Sequence, residues 1–309
     1  MADDNFEKLH EVDYIANVTH ELRQEEGILY PLAGQQLNGK GKTEIKIEDR
    51  FSRLKMRRKT TKNGDTNTTE GDVTRRFIKK PGRYNVATLI DRDDVDSTSV
   101  ELGSPLVMET ASAARTYHDD QFLLGWWGNG WVGTETAETA VPFTAGNKIA
   151  HNFGGVSVGL TLAKLIELKR QLKKANVNFK KEAPIILLDA DAESDLWNID
   201  KYVNFDYQGN KPLVDGELKP WMGFRFITAN LGDPEAYPDS YSLFQVSNIN
   251  RLPVIVPSGL CRATWVEFWG KVDPRPDKQY SEQIYAEAES AVVRTDEKKA
   301  WFIETKPVS

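Results

Sequence analysis

The segment from residue 37 to residue 90 constrains the fold most. Ile45, Ile47 and Phe51 fall on one parity with mostly charged residues between them, the alternation of a strand with one buried face. Val73 to Ile78 and Tyr84 to Ile90 read as returning strands. Between them Thr60 to Thr69 is polar and turn-rich around Asn63-Gly64. A two-stranded ribbon on its own is at best marginally stable in water, so this arm has to lie on something. Its charge indicates what kind of surface. Lys40 to Arg83 holds 15 basic and 6 acidic residues, whereas the rest of the chain holds 25 basic and 40 acidic, for a net charge of -6. A cationic arm on an anionic body fits nucleic acid, an acidic partner or the body of another copy.

Several classes are excluded by what the chain lacks. Cys261 is the only cysteine, so no intrachain disulfide and no cysteine-based zinc site can form. No apolar run approaches the roughly 20 residues that cross a bilayer, and Phe122 to Gly133 is broken by Gly125, Gly128, Asn129 and Gly130. The acidic start (Met1-Ala2-Asp3-Asp4) lacks the basic region of a signal peptide. A soluble protein made in the cytoplasm is expected.

The remaining elements read in order. Residues 1 to 35 carry weak amphipathic character and no core of their own, the pattern of an arm. Ser104 and Pro105 suit a helix cap and first turn, and Leu106 to Phe122 keep helical spacing up to a stop at Gly125. Residues 125 to 158 are Gly/Thr-rich and read as loop. Thr161 to Asn176 predicts a helix, with Leu162, Leu165, Ile166 and Leu172 on one face and Lys164, Lys169, Arg170, Lys173 and Lys174 around the other. Pro184 to Leu188 reads as a buried strand, and Asp189 as the cap of a helix through Trp197. Strands are expected at Gly223 to Ala229, Ser242 to Val246, Val254 to Val256 and Cys261 to Trp269. Gln279 to Arg294 is a long strand, Asp296 to Lys299 a turn, and Ala300 to Thr305 the return.

Candidate chemistry is sparse. His118, Asp119 and Asp120, with His151, could bind metal or shuttle protons; the plainer reading is a polar helix end. Asp91 to Asp96 has acid density without the Gly and Glu of a calcium loop. Gly39-Lys40-Gly41-Lys42-Thr43 lacks the spacer of a phosphate loop. Trp126, Trp127 and Trp131 could stack on a ligand, but packing at a core edge or interface is favoured.

Three stretches carry a resemblance. Thr161-Leu-Ala-Lys-Leu-Ile-Glu-Leu-Lys-Arg170, Trp221-Met-Gly-Phe-Arg-Phe-Ile-Thr-Ala-Asn230, and Arg275-Pro-Asp-Lys278 with Tyr280, Tyr285 and Ala291 to Glu297 are similar to segments of tailed-bacteriophage major capsid proteins. The order of elements over residues 40 to 305 also resembles their Hong Kong 97-type fold. The resemblance implies an α+β chain in four parts. Residues 1–35 would be the N-terminal arm and 36–90 the extended β-hairpin loop. Residues 91–180 with 271–309 would form the peripheral domain with its long spine helix, and 181–270 the axial α/β domain.

It also implies a non-enzymatic, cofactor-free subunit that self-assembles into pentamers and hexamers of an icosahedral head. That head would be built in the host cytoplasm around double-stranded DNA, which it touches loosely and without specificity. A scaffolding protein, a portal and a decoration protein are the implied partners, with no role for a membrane. Each extended loop would cross a neighbouring subunit. Arg57, Arg58, Lys59, Arg75, Arg76, Lys79 and Lys80 would then meet carboxylates there, while Phe51, Leu54 and Phe77 supply apolar contact. An encapsulin-type nanocompartment shell, a trimeric decoration or receptor-binding protein, and a metal-dependent hydrolase built on His118 are the competing expectations.

Overall fold

The computed structural model describes residues 27–51, 54–56, 58, 71, 73–91, 103–134, 137–155, 158–203 and 218–306. The arm up to residue 26, the loop tip at 60–69, Arg57 and Lys59 lie outside the described residues. In chain order the strands and helices open with β1 (Gln35–Asn38), β2 (Glu44–Phe51), β3 (Val73–Lys79) and β4 (Tyr84–Ile90). Next come α1 (Gly103–Trp127), β5 (Gly130–Thr134), β6 (Ala137–Val141), β7 (Lys148–Ile149) and α2 (Leu162–Lys174). The second half holds β8 (Ile185–Leu188), α3 (Ala190–Trp197), α4 (Asp200–Val203), β9 (Arg225–Thr228), α5 (Tyr241–Phe244) and β10 (Gln245–Val246). It closes with β11 (Ile249–Ile255), β12 (Leu260–Arg275), β13 (Ser281–Arg294) and β14 (Ala300–Thr305).

Three sheets result. The first, ordered β1-β12-β13-β4, is built on the long β12–β13 hairpin. Its two strands stay paired from Leu260 opposite Arg294 to Arg275 opposite Ser281, through irregularities around Val266. The even-numbered residues of β13 from Ile284 to Val292 are buried beneath α1. Gly125 shows how close that packing is. A Cβ there would lie 2.1 Å from the Val292 carbonyl oxygen, so only glycine lets the helix backbone rest on the strand. Gly125 therefore does not end the helix, which runs on to Trp127 and begins at Gly103, ahead of the expected Ser104 cap.

The second sheet runs β7-β14-β11-β8-β9, with β10 paired to β11. Strand β8 is buried on both faces. Ile185 and Leu187 face a cluster that includes Phe122, Leu123 and Trp126 of α1. Ile186 and Leu188 face Leu165, Leu168 and Leu172 of α2 and Ala192 and Leu196 of α3. Each such leucine contributes about 1.5–3 kcal/mol by burial. Helix α2 starts where expected, with Thr161 Oγ1 accepting from Lys164 N, and α3 is capped by Asp189, whose Oδ1 accepts from Ala192 N at 2.7 Å. Lys164 is not on the polar face but fully buried. It falls four residues before Leu168 and eight before Leu172, which is the apolar stripe itself.

The third sheet, β2-β3-β5-β6, corrects two readings. Strands β2 and β3 pair as expected, from Glu44 opposite Lys79 to Phe51 opposite Val73. The ribbon is not free along its length, because β3 also pairs with β5 through Arg76–Val132 and Phe77–Trp131. The stretch 125–158 thus contains β5, β6 and β7 rather than loop alone. Strand β4 leaves the ribbon for β13. Of the strand expected at 242–246, most is the short helix α5, and only Gln245 and Val246 are extended.

Candidate assembly surfaces

Helix α1 presents His118, Asp119 and Asp120 in sequence, and its turn sends them to three different elements. Asp119 is buried and accepts four backbone N–H groups. Oδ2 takes Gly27 and Ile28 at 2.9 and 3.1 Å, and Oδ1 takes Leu29 and Tyr30 at 3.1 and 2.9 Å. This carboxylate is what turns the incoming chain towards β1. Asp120 accepts from Asp239 N and Ser240 N, both at 3.1 Å. His118 bonds Ser290 Oγ through Nδ1 and the Glu267 carbonyl through Nε2, and stacks on Tyr30 at 4.7 Å.

Burial raises the Asp119 and Asp120 carboxyls above the usual aspartate range, against the pull of their hydrogen bonds. Burial lowers the His118 imidazole. The three groups diverge, each held by its own partners, and His151 lies beside Glu304 instead. Among the described residues no group of three or more His, Cys, Asp or Glu could hold a metal. The trio is a structural hub and does not converge on a common site. Cys261 is likewise a core residue, its thiol pushed up to about 12 by burial.

The basic arm finds its carboxylates within the same chain. Arg76 makes a bidentate pair with Glu297, at 2.6 and 2.7 Å, and the two side chains are only 11% and 17% exposed. Arg294, fully buried behind them, donates to the Trp126 carbonyl, and burial drops its guanidinium to about 10. Burial raises the Glu297 carboxyl, but Arg76 and Arg294 outweigh this and hold it below the usual glutamate range. Arg75 meets Asp49 on the neighbouring strand. Lys79 pairs with Glu138 of β6 and sits 3.9 Å over the Trp131 ring. Lys80 and Arg83 approach the buried Glu289 at 3.3 and 3.5 Å.

Phe77 is 2% exposed in the chain's own core. Arg75, Arg76, Lys79 and Lys80 thus have carboxylate partners within the chain, and Phe77 packs in its core. These residues form the root of the loop, and Ile45, Ile47 and Ile78 anchor that root against Trp265 and Val293. Sequence reasoning missed Glu289, Arg294 and Glu297, because nothing in their local pattern marks a strand end that receives a distant hairpin.

Beyond the root the surface changes character. Phe51 is 76% exposed, Leu54 68% and Met56 104%, with Val73 opposite Phe51 and Arg58 exposed beside them. Further exposed apolar residues lie on the two faces of the first sheet and at the start of α1: Val272 and Met108 on the α1 side, Leu89 and Trp269 on the other face, and Tyr280 in the turn between β12 and β13. Gln279 and Tyr280 both sit at positive φ, 54° and 61°, an uncommon conformation for a bulky residue. Of the fifteen exposed large hydrophobics among the described residues, twelve lie on the extended loop, on β4 and β12, in the turn after β12 or at the start of α1. Concentration of this kind marks interfaces rather than scattered surface apolar groups. The tryptophan cluster, in contrast, is core: Trp126 is fully buried, and Trp127 stacks on Phe143 at 4.9 Å. No described helix is long and apolar enough to cross a membrane.

Comparison with known proteins agrees with this architecture. None of the curated protein sequences matches the chain. Among solved structures, one from Mycobacterium phage Che8 superposes with a TM-score of 0.71 at 13% identity, covering 98% of both chains. The capsid of cyanophage P-SCSP1u gives 0.73 at 11% identity, covering 98% of this chain and 94% of that one. The capsid of cyanophage Pam1 gives 0.68 at 12% identity, covering 99% of each. The shared fold is the Hong Kong 97-type α+β fold. Residues 7–306 match the family described as phage capsid protein, and the chain belongs to that family, with its place in the capsid of the virion.

Proposed function

We infer that this chain is the major capsid protein of a tailed phage, a non-catalytic subunit whose copies close into pentamers and hexamers of an icosahedral head around double-stranded DNA. The observation that carries the reading is this grouping of exposed apolar residues on a chain with the capsid fold. A loop rooted by buried ion pairs and bare at its far end is suited to lie across another copy. Phe51, Leu54 and Arg58 then make the inter-subunit contact, with Arg57 and Lys59 assigned to the same end. Buried apolar groups give such a contact its affinity, while the charges set register and encounter rate. The four-part division, with the loop at 36–90, the peripheral domain at 91–180 and 271–309 and the axial domain at 181–270, remains our reading. So does a requirement for separate scaffolding and portal proteins and a decoration protein.

The test is electron microscopy of the purified protein, alone and co-expressed with its neighbouring genes. Closed shells or five- and six-membered rings are expected. Phe51→Asp with Leu54→Asp should leave a folded subunit that forms neither. Shells that form without nucleic acid but with an enzyme inside would favour the nanocompartment, and a persistent monomer would overturn the capsid reading.

A further inference from the structure

The region around the second sheet carries its charge in separate blocks. Residues 161–181, α2 and its exit, hold seven basic residues and one acidic. Residues 189–200, from the α3 cap to the start of α4, hold five acidic residues and no basic one, and residues 230–240 hold three acidic and none basic. The basic block and the start of the first acidic block lie at opposite ends of the strands. Lys169 Nζ donates to the Met222 carbonyl at 2.6 Å, just ahead of β9, so the C-terminal half of α2 sits at the amino ends of β8 and β9. Asp189 and Asn230 follow the carboxyl ends of these two parallel strands. There, with Asp191, Gln245, Asn250 and Arg251, whose guanidinium is turned to the Leu243 carbonyl, they line an open cleft of about 180 Å³.

The cleft is rich in acceptors. Asp189 accepts from Ala192 N and from Asn250 Nδ2. The second bond fixes the Asn250 amide, whose Oδ1 is buried without a hydrogen-bond partner. The carboxylates of Asp189 and Asp191 suit a cationic donor. At the other end Lys173 and Lys174 are exposed in the last turn of α2, and Ile166 on the same helix is 51% exposed.

We propose that the basic α2 end of one copy docks against the acidic cleft end of the next, with Lys173 and Lys174 facing Asp189 and Asp191. The partner is a second copy of this chain, since the complement of each block is carried by the same region in similar amount. Two different surfaces meeting head to tail close into a ring when the rotation closes. The inference rests on the shell-forming reading and assigns the contact that makes the ring.

Charge reversal tests it in the full-length protein. Lys173→Glu with Lys174→Glu, and separately Asp191→Lys, should each cut the assembled fraction about tenfold at low salt, the change that roughly 1.4 kcal/mol would give. Sedimentation velocity reads that fraction, and far-UV circular dichroism with thermal melting confirms that each variant is folded. Combining all three substitutions in one chain should restore assembly. Folded single-face variants that assemble like the unaltered protein would overturn the proposal, as would a combination that restores nothing. Variants that assemble normally but lose packaged nucleic acid would also overturn it, and would assign the α2 face to DNA. An unaltered protein that never leaves the monomer would instead refute the shell-forming reading.

Discussion

Replacing Glu297 by Gln should destabilise the unassembled subunit more than replacing Arg76 by Gln, although both break the same pair. The ion pair is bidentate and largely shielded from water. At an effective dielectric constant near 20, unit charges roughly 4 Å apart attract by roughly 4 kcal/mol. Removing one partner of a buried pair costs about 3–5 kcal/mol, because the other charge is left uncompensated. In Glu297→Gln two uncompensated cations remain, Arg76 and the fully buried Arg294, so the upper part of that range is expected. In Arg76→Gln the carboxylate keeps Arg294 as a partner, and about 2–3 kcal/mol is expected on the same reasoning.

Glu297 also carries a pH signature. Its carboxyl is held below its unfolded value, so its stabilisation is fully present above that unfolded value. It is lost as pH falls through the lower, folded one. Urea unfolding of the unassembled subunit, followed by tryptophan fluorescence, measures both variants and the double mutant. A cost below about 1 kcal/mol for Glu297→Gln, or an inverted order, would refute the view that this pair locks the loop root.

Three further outcomes follow from the geometry. Asp119→Asn replaces an acceptor oxygen by a donor opposite two of the four N–H groups; it should cost about 2–3 kcal/mol and speed amide exchange at Leu29 and Tyr30 more than in β11. Lys164 donates to the carbonyls of Val158, Gly159 and Glu304, and burial lowers it to about 8. The folded state then binds fewer protons than the unfolded one between about pH 8 and 10.5, so stability should rise with pH across that window, by at most roughly 3 kcal/mol. Lys164→Met should abolish that rise, and unfolding curves at pH 7, 9 and 10 would show it. Gly125→Ala forces a Cβ into the Val292 carbonyl, and soluble yield with thermal melting should show a loss of at least about 3 kcal/mol.

Local physics made much of this legible. The cap Asp189 acts as read, and strands β2, β3, β4, β8 and β14 fall where alternation or an apolar run placed them. What failed were judgements that needed a partner far along the chain. Gly125 looked like a stop because glycine ends helices, yet its role is set by Val292 across the interface. Lys164 looked solvated because lysine usually is, although its spacing already placed it in the apolar stripe. The intrachain partners of Arg76, Lys79 and Lys80 were not legible, because Glu297, Glu138 and Glu289 approach them only once the sheets have formed. The candidate surfaces were half legible: Phe51 and Leu54 stand bare as expected, whereas Phe77 is core.

The parallel pairing of β1 with β12, Gln35 opposite Cys261, also sets a timetable. The chain emerges amino end first, at about 5–20 residues per second, so β1 waits roughly ten to forty-five seconds for its neighbour to be made. Strand β4 and helix α1 wait too, for a somewhat shorter time, since both rest on β13. Contacts this distant are slow to form, and a ribosome-bound or prematurely ended chain lacks the floor on which its first half is laid. A fragment stopped before β13 has no strand to receive β4 and no sheet beneath α1.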